Sequence, residues 1–288
     1  MKTSHGLPAL VLLALVGGCA TSSAPATATG APSQIASAQV LKLGYREDAR
    51  PFSFKGADGS ASGYSVELCR RVAASLKTQL QLTQLNIQWV PVTAANRIQA
   101  VKDGRVDIEC GSTSRTLARE QQVDFSNAIW VESSSFIATV SSGMTKVADL
   151  NRKRVGVIPG TTTEQVLQRL SARGIEPVYV TMATHTEGIA AVRAGSIDAY
   201  ATDRLILAGE ATSGASSGPP LRLAADDFSL ETYGLMMRRD ADLRLMVNRA
   251  LAQTYRSGDI VQIFRDAFSP ALPSPLLEAT YVLGALPE

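Results

Sequence analysis

Apolar and polar positions along the chain fall into short blocks of two kinds, and the two kinds alternate. Compact runs of aliphatic and β-branched residues predict strands at 40–45, 87–92, 106–110, 135–140, 154–158, 177–180, 199–201 and 233–238. Between them, apolar residues recurring every three or four positions predict helices at 65–76, 96–102, 163–173, 187–194, 204–211, 242–257 and 260–267. Strands alternating with helices of this length imply an α/β fold with mostly parallel sheets, because parallel neighbours need a crossover between them.

One stretch of this pattern occurs twice. Ala100-Val101-Lys102-Asp103-Gly104-Arg105-Val106-Asp107 returns as Ala191-Val192-Arg193-Ala194-Gly195-Ser196-Ile197-Asp198. Each copy reads as a helix end, a glycine stop and a strand start, and glycine there suits a left-handed helix terminus. The strand that follows ends in polar residues both times: Gly111-Ser112-Thr113 in the first copy, Thr202-Asp203-Arg204 in the second. Two similar α/β units thus set a polar edge at the carboxyl end of a strand, where open α/β sheets hold ligands.

The first edge carries the most pointed chemistry. In Glu109–Ser126, an apolar strand end breaks at Gly111, and Ser112, Thr113 and Ser114 lead into a helical stretch with Arg119. Hydroxyls, free N–H groups at a helix start and a guanidinium suit a small carboxylate. No nucleophile–base pair accompanies them, so the run predicts a binding site for an acidic or zwitterionic small molecule. Read by itself, the same run also fits a capped helix with a solvated arginine.

Composition narrows the classes. Lys2 precedes an apolar run from Leu7 to Val16, too short to span a membrane and of the form of a signal peptide's apolar core. Small residues then lead to Cys19, which resembles a lipoprotein cleavage site, so residues 1–18 are expected to be a signal peptide and Cys19 a lipidated first mature residue. An ordinary secretory signal cut near Ala24 is the alternative. Residues 19–39, uncharged and rich in Ala, Ser, Thr and Pro, are expected to be a flexible tether. About 230 residues remain, enough for two lobes of ordinary domain size. With 28 basic and 26 acidic side chains and no basic block, nucleic acid is excluded as a partner. Cys69 and Cys110 sit in apolar contexts that favour buried thiols, although an oxidising compartment would let them pair. Beyond the signal His185 is the only histidine, so no His/Cys metal cluster is expected. Gly214 to Gly218 spells G-x-S-x-G, but no strand leads into it and a Pro pair follows, which excludes a hydrolase elbow.

Taken in order, several strings resemble a known family. They are Gly44-Tyr45-Arg46-Glu47 with Pro51-Phe52-Ser53-Phe54, Gly63-Tyr64-Ser65, Asn96-Arg97-Ile98 and Glu109-Cys110-Gly111-Ser112-Thr113. Asp124-Phe125-Ser126, Gly160-Thr161-Thr162, His185, Asp203 with Leu207-Ala208-Gly209-Glu210, and Tyr233-Gly234 follow. The chain resembles periplasmic solute-binding proteins of polar amino-acid ABC uptake systems (family 3), and the glutamate/aspartate-binding branch most closely.

The resemblance implies a two-lobe periplasmic-binding-protein fold (type II), each lobe a mostly parallel sheet flanked by helices, with two hinge strands. Lobe one would comprise 40–132 plus 232–270, lobe two 133–231, and 271–288 a C-terminal tail. The hinges would fall near 133–138 and 230–235. Arg119 is implied to grip an α-carboxylate with Ser114, Thr161 and Thr162. Asp203 and Ser112 would take the α-ammonium. Arg46, Arg97 and His185 would hold a side-chain carboxylate in a second cationic pocket. Each of three residues also admits a plainer reading: Arg46 as a solvated turn residue, His185 as a surface loop residue, and Asp203 as a helix cap. Ala94 stands where relatives carry a serine, and Leu235 where they carry a cysteine.

The implied function is a periplasmic, lipid-anchored, monomeric receptor that captures L-glutamate or L-aspartate and delivers it to an inner-membrane ABC permease, with no cofactor and no catalysis. The alternatives are a periplasmic enzyme on the same scaffold, resembling cyclohexadienyl dehydratases, and a ligand-sensing lipoprotein. An ammonium acceptor at Asp203 argues against the enzyme, whose substrate class has no need of one.

Overall fold

The computed structural model describes residues 1–3, 30–213 and 218–287. Most of the expected signal peptide, Cys19, the tether as far as residue 29 and positions 214–217 of the G-x-S-x-G string lie outside the described residues. The rest forms two α/β lobes.

The first lobe is built on Val40–Tyr45, whose central residues are buried from both faces. It pairs in parallel with Asn86–Pro91 on one side and Ile108–Glu109 on the other. Met236–Met237 and Asp124–Phe125 extend this sheet with antiparallel pairings. The second lobe repeats the plan. Arg154–Val157 lies in parallel between Val178–Thr181 and Ala199–Asp203, and Ser134–Thr139 and Leu221–Leu223 add antiparallel strands. Each sheet therefore has a parallel half and an antiparallel edge.

The repeated octapeptide does the same job in both lobes. Gly104 and Gly195 stop their helices at positive φ, 68° and 71°. Asp107 Oδ2 then accepts from the Lys42 backbone N–H at 2.9 Å, and Asp198 Oδ2 from that of Arg154 at 2.8 Å. Each aspartate pins the strand that follows it to the middle one of its lobe's three parallel strands.

The chain crosses between lobes twice. Trp130–Glu132 and Glu231–Tyr233 pair antiparallel as a ribbon, with Glu132 opposite Glu231. The first hinge thus lies before the expected 133–138, because Ser134–Thr139 is a buried strand held between two neighbours of the second sheet. The expected strand 233–238 divides at Gly234-Leu235: its first part belongs to the ribbon and its second to the first sheet. Against the ribbon packs an aromatic cluster in which Phe52 meets Trp130 and Tyr233, each at 5.1 Å between ring centroids, and Trp130 stacks on Phe268 at 4.6 Å.

Two further expectations are corrected, and one alternative left open is decided. Residues 31–38 of the tether form a helix, Ala31–Ala38, because Ala31 and Ile35 share one face and bury it against Ala241–Ser257. Asp240 Oδ2 fixes its start by accepting from the Ala31 N–H at 2.7 Å. The expected tail contains the helix Pro275–Gly284, capped by Ser274; Leu277 is buried, and the Tyr281 hydroxyl lies 2.9 Å from that of Tyr64. Cys69 and Cys110 form a disulfide rather than standing as free thiols, because the helix Tyr64–Gln79 lays Cys69 directly over the end of the strand that carries Cys110.

Candidate functional site

The polar edges of the two lobes face each other beside the ribbon. On the first lobe Arg46 follows the strand Val40–Tyr45, and Arg97 opens the helix Arg97–Lys102. Ser112 and Ser114 follow Ile108–Glu109, and Arg119 sits in the short helix Leu117–Glu120, which Thr116 caps. All five are buried, so the reading of Arg46 as a solvated turn residue does not hold.

The arginines differ in how far the protein satisfies them. Arg46 donates from Nε and Nη2 to Asp48 Oδ1 at 3.1 and 2.8 Å. Arg119 donates from Nη1 to the Ser114 carbonyl at 2.8 Å and from Nη2, across the cleft, to the Gly160 carbonyl at 3.0 Å. Arg97 has only a long bond, Nη1 to the Ser112 carbonyl at 3.4 Å, and its buried Nε has no partner among the described residues.

The second lobe answers with three helix or strand ends. Thr162 begins the helix Thr162–Gln168, lies 3.2 Å from Ser114 Oγ across the cleft, and donates to Glu231 Oε2 at 2.6 Å. Thr161 stands apart from this convergence: its hydroxyl caps the same helix and donates to the Ile158 carbonyl at 2.7 Å. His185 begins the helix His185–Arg193, buried, with Nδ1 2.7 Å from the Tyr200 hydroxyl, which excludes a surface loop residue. Asp203 ends Ala199–Asp203 and accepts from Ser134 Oγ at 3.2 Å and, through a short bond, from the Tyr233 hydroxyl. Ala94 is buried among Ile158, Met182 and Tyr200 of the opposite lobe.

Burial sets the charges. It lowers the Arg97 guanidinium to about 10, helped by Arg119. It also lowers Arg119, against the pull of Glu231 and Asp203. The His185 imidazole is driven down to about 3 by burial and by Arg46, so it is neutral at neutral pH. The expectation that His185 adds positive charge to the second pocket is therefore corrected. Burial beside Glu231 raises Asp203 to about 6, and burial beside Asp203 raises Glu132 to about 8.

Several participants escaped the sequence reading. Asp48 left a faint signal, two residues past Arg46 on a turn. Glu109, fully buried with Oε2 accepting from Thr113 at 2.7 Å, lay inside a quoted string without a role. Tyr233 likewise lay in a quoted string without a role, whereas Glu132, Glu231 and Tyr200 had no local signal, because only strand register brings them to the cleft.

Taken together, the arrangement offers buried guanidinium groups, helix-start N–H groups and carboxylates within one cleft shared by both lobes. Such a set grips a small zwitterion with added negative charge. Among the described residues no group of three or more His, Cys, Asp and Glu side chains is arranged to hold a metal.

The chain is similar to known proteins over most of its length. The model of bacterial extracellular solute-binding proteins, family 3, matches residues 41–270. The chain is 32% identical over 283 residues to the L-glutamate/L-aspartate-binding protein of Pseudomonas aeruginosa, covering 96% of this chain and 93% of that one. It is 28% identical over 287 residues to the glutamate/aspartate import solute-binding protein of Escherichia coli, covering 99% and 95%. Among solved structures, the solute receptor for L-cysteine of Neisseria gonorrhoeae superposes with a TM-score of 0.74 over 85% of this chain and 98% of that one; at 22% identity this likeness speaks to the fold alone.

Proposed function

This chain belongs to the bacterial extracellular solute-binding proteins of family 3, and from that premise we propose that it captures L-glutamate or L-aspartate between its lobes and delivers it to an ABC permease. It is a binding protein and not an enzyme, with the two-lobe periplasmic-binding-protein fold. The observation that carries the acidic-ligand reading is Arg97. It is a buried cation whose Nε meets no partner among the described residues and whose hydrogen bond to the Ser112 carbonyl is long. A desolvated guanidinium of this kind is completed by an anionic ligand.

The roles follow from the neighbours. Arg119, with Ser114 and Thr162, holds the α-carboxylate; its guanidinium is already oriented by carbonyls on both sides of the cleft. Thr161 supports this contact by capping the helix that presents Thr162. Asp203 and Ser112 take the α-ammonium, with Tyr233 and Ser134 fixing the carboxylate. Arg97 and Arg46 grip the side-chain carboxylate. His185 contributes an N–H: with Nδ1 accepting from the Tyr200 hydroxyl, Nε2–H is left for the ligand. Lobe one comprises 40–132 and 232–270 with the two added helices, and lobe two 133–231. A cleaved signal, a lipid on Cys19, a periplasmic location and a monomeric state complete the reading.

Calorimetric titration of the mature protein with each of the twenty amino acids tests it. Glutamate or aspartate is expected to bind with a Kd in the micromolar range or tighter, about −8 kcal/mol or beyond. Tighter binding of glutamine or arginine than of either acid would refute the side-chain pocket.

A further inference from the structure

A second set of contacts joins the lobes, centred on Arg50, Gly209 and Glu210, which have no role in gripping a ligand. The segment 48–51 of the first lobe reaches two helices of the second, His185–Arg193 and Arg204–Ser213. The Arg50 N–H donates to Glu210 Oε1 at 3.1 Å, and Glu210 Oε2 accepts from Thr186 Oγ1 at 3.1 Å, so one carboxylate ties both helices to the other lobe. Beside it, Asp48 Oδ2 accepts from the His185 N–H at 2.9 Å, capping the first turn of the His185–Arg193 helix from across the cleft. Glu210 is 6% exposed, well covered for a carboxylate on a mobile boundary.

Gly209 stands next to it, inside the helix Arg204–Ser213, where glycine is disfavoured relative to alanine. Its φ lies outside the left-handed region, so the helix does not need glycine for its conformation. The opposing lobe does: a Cβ at 209 would lie 2.7 Å from the Arg50 carbonyl oxygen and 2.9 Å from its carbonyl carbon. Both atoms are backbone, so no rotamer change relieves the clash. The missing side chain is useful only when the lobes are together.

We propose that Arg50, Gly209 and Glu210 form a closure latch, which sets how readily the lobes come together whatever ligand lies between them. A ligand's apparent affinity is its affinity for the closed form scaled by the fraction of molecules able to close. A change in the latch therefore shifts the Kd of every ligand by one factor and leaves the preference among ligands alone. Residues that touch the ligand change that preference.

Gly209→Ala and Glu210→Gln test this in the full mature protein. For Gly209→Ala the Kd values of glutamate and aspartate are expected to rise together, by about tenfold or more, with their ratio unchanged. The melting temperature without ligand stays level or rises, because alanine is the better helix former. Glu210→Gln keeps the shape, weakens the acceptor and shifts both Kd values in the same direction by less. Unchanged Kd values, a shifted ratio, or a loss of affinity that only tracks a lower melting temperature would each overturn the proposal. This affinity arm rests on the solute-binding reading, so a second arm is independent of any ligand. Amide exchange at Arg50 and His185, whose N–H groups bond across the cleft, should quicken in unliganded Gly209→Ala while that of Leu43 in the first sheet does not. If the wild-type protein binds neither acid, the ligand assignment fails and exchange still decides the latch; equal exchange in both proteins refutes it.

Discussion

Replacing Arg97 by methionine separates a ligand-binding arginine from a structural one, because the two roles predict opposite signs. Methionine keeps much of the side-chain volume and removes the charge. The guanidinium is 4% exposed, its bond to the Ser112 carbonyl is 3.4 Å, and Nε is unpartnered among the described residues, so the fold gains little from it. Burial, with Arg119 alongside, brings its pKa from 12.5 to about 10. At about 1.4 kcal/mol per unit, holding that charge in the folded chain costs on the order of 3 kcal/mol. The cost is present throughout the pH range below the folded value and is relieved only as pH climbs from about 10 toward 12.5. Without ligand, Arg97→Met should therefore be as stable as the wild type or more stable. With an acidic ligand the sign reverses: losing a buried, charge-assisted partner costs about 3 kcal/mol, on the order of a hundredfold in Kd. Glutamine, lacking the second carboxylate, should lose less than about tenfold. Thermal unfolding without ligand and calorimetry with both amino acids give the three numbers. A melting temperature lowered by many degrees, or equal losses for the two ligands, would refute the assignment.

Other expectations are more compact. Arg119→Ala should weaken glutamate and glutamine alike, by about a hundredfold or more, since both present the same α-carboxylate; isotherms showing a loss for glutamate alone would contradict its role. Glu132 is held at about 8 by burial beside Asp203, so folding stability is lost as pH climbs from 4.5 to about 8. The window from pH 6.5 to 8 belongs mainly to this residue, because Asp203, raised to about 6, is already mostly ionised there and His185, driven down to about 3, loses stability only on acidification below 6.5. Glu132→Gln should abolish a loss of about 2 kcal/mol between pH 6.5 and 8, and parallel melting curves for the two proteins would exclude it. Removing the disulfide by Cys69→Ala with Cys110→Ala opens a loop with a sequence separation of 41. Urea unfolding should show a loss of about 4 kcal/mol in the chain-entropy picture, and a loss under about 1 kcal/mol would show that the link constrains little.

The α/β alternation and the repeated octapeptide were legible because each depends on local pattern: Gly104 and Gly195 turn where their neighbours say they must, and Asp107 and Asp198 land on equivalent backbone N–H groups. The helices at 31–38 and 275–284 were not legible. The first has the composition of a linker and the second lies beyond the span of the resemblance, and each is held by a few residues, Ala31 and Ile35 or Leu277 and Tyr281, that find partners far away in sequence. The disulfide depends on how one helix lies across a sheet, which no spacing records. In the site, most of the named residues meet at one cleft, but their charge states were not readable from the sequence. His185 reads as a potential cation until its burial beside Arg46 is seen, and Glu132 as an ordinary hinge residue until the ribbon's register buries it near Asp203.

Both described ends of the chain pack on one lobe. Ala31–Ala38 and Pro275–Gly284 each lie against Ala241–Ser257, and the second also touches Trp130–Glu132 at the ribbon. An attachment upstream of residue 30 would therefore hold the first lobe, as a vice is bolted to a bench by its fixed jaw. The second lobe, entered and left only through the ribbon, is the moving jaw. Its swing would drag neither end, so a chain anchored upstream could still open and shut its cleft.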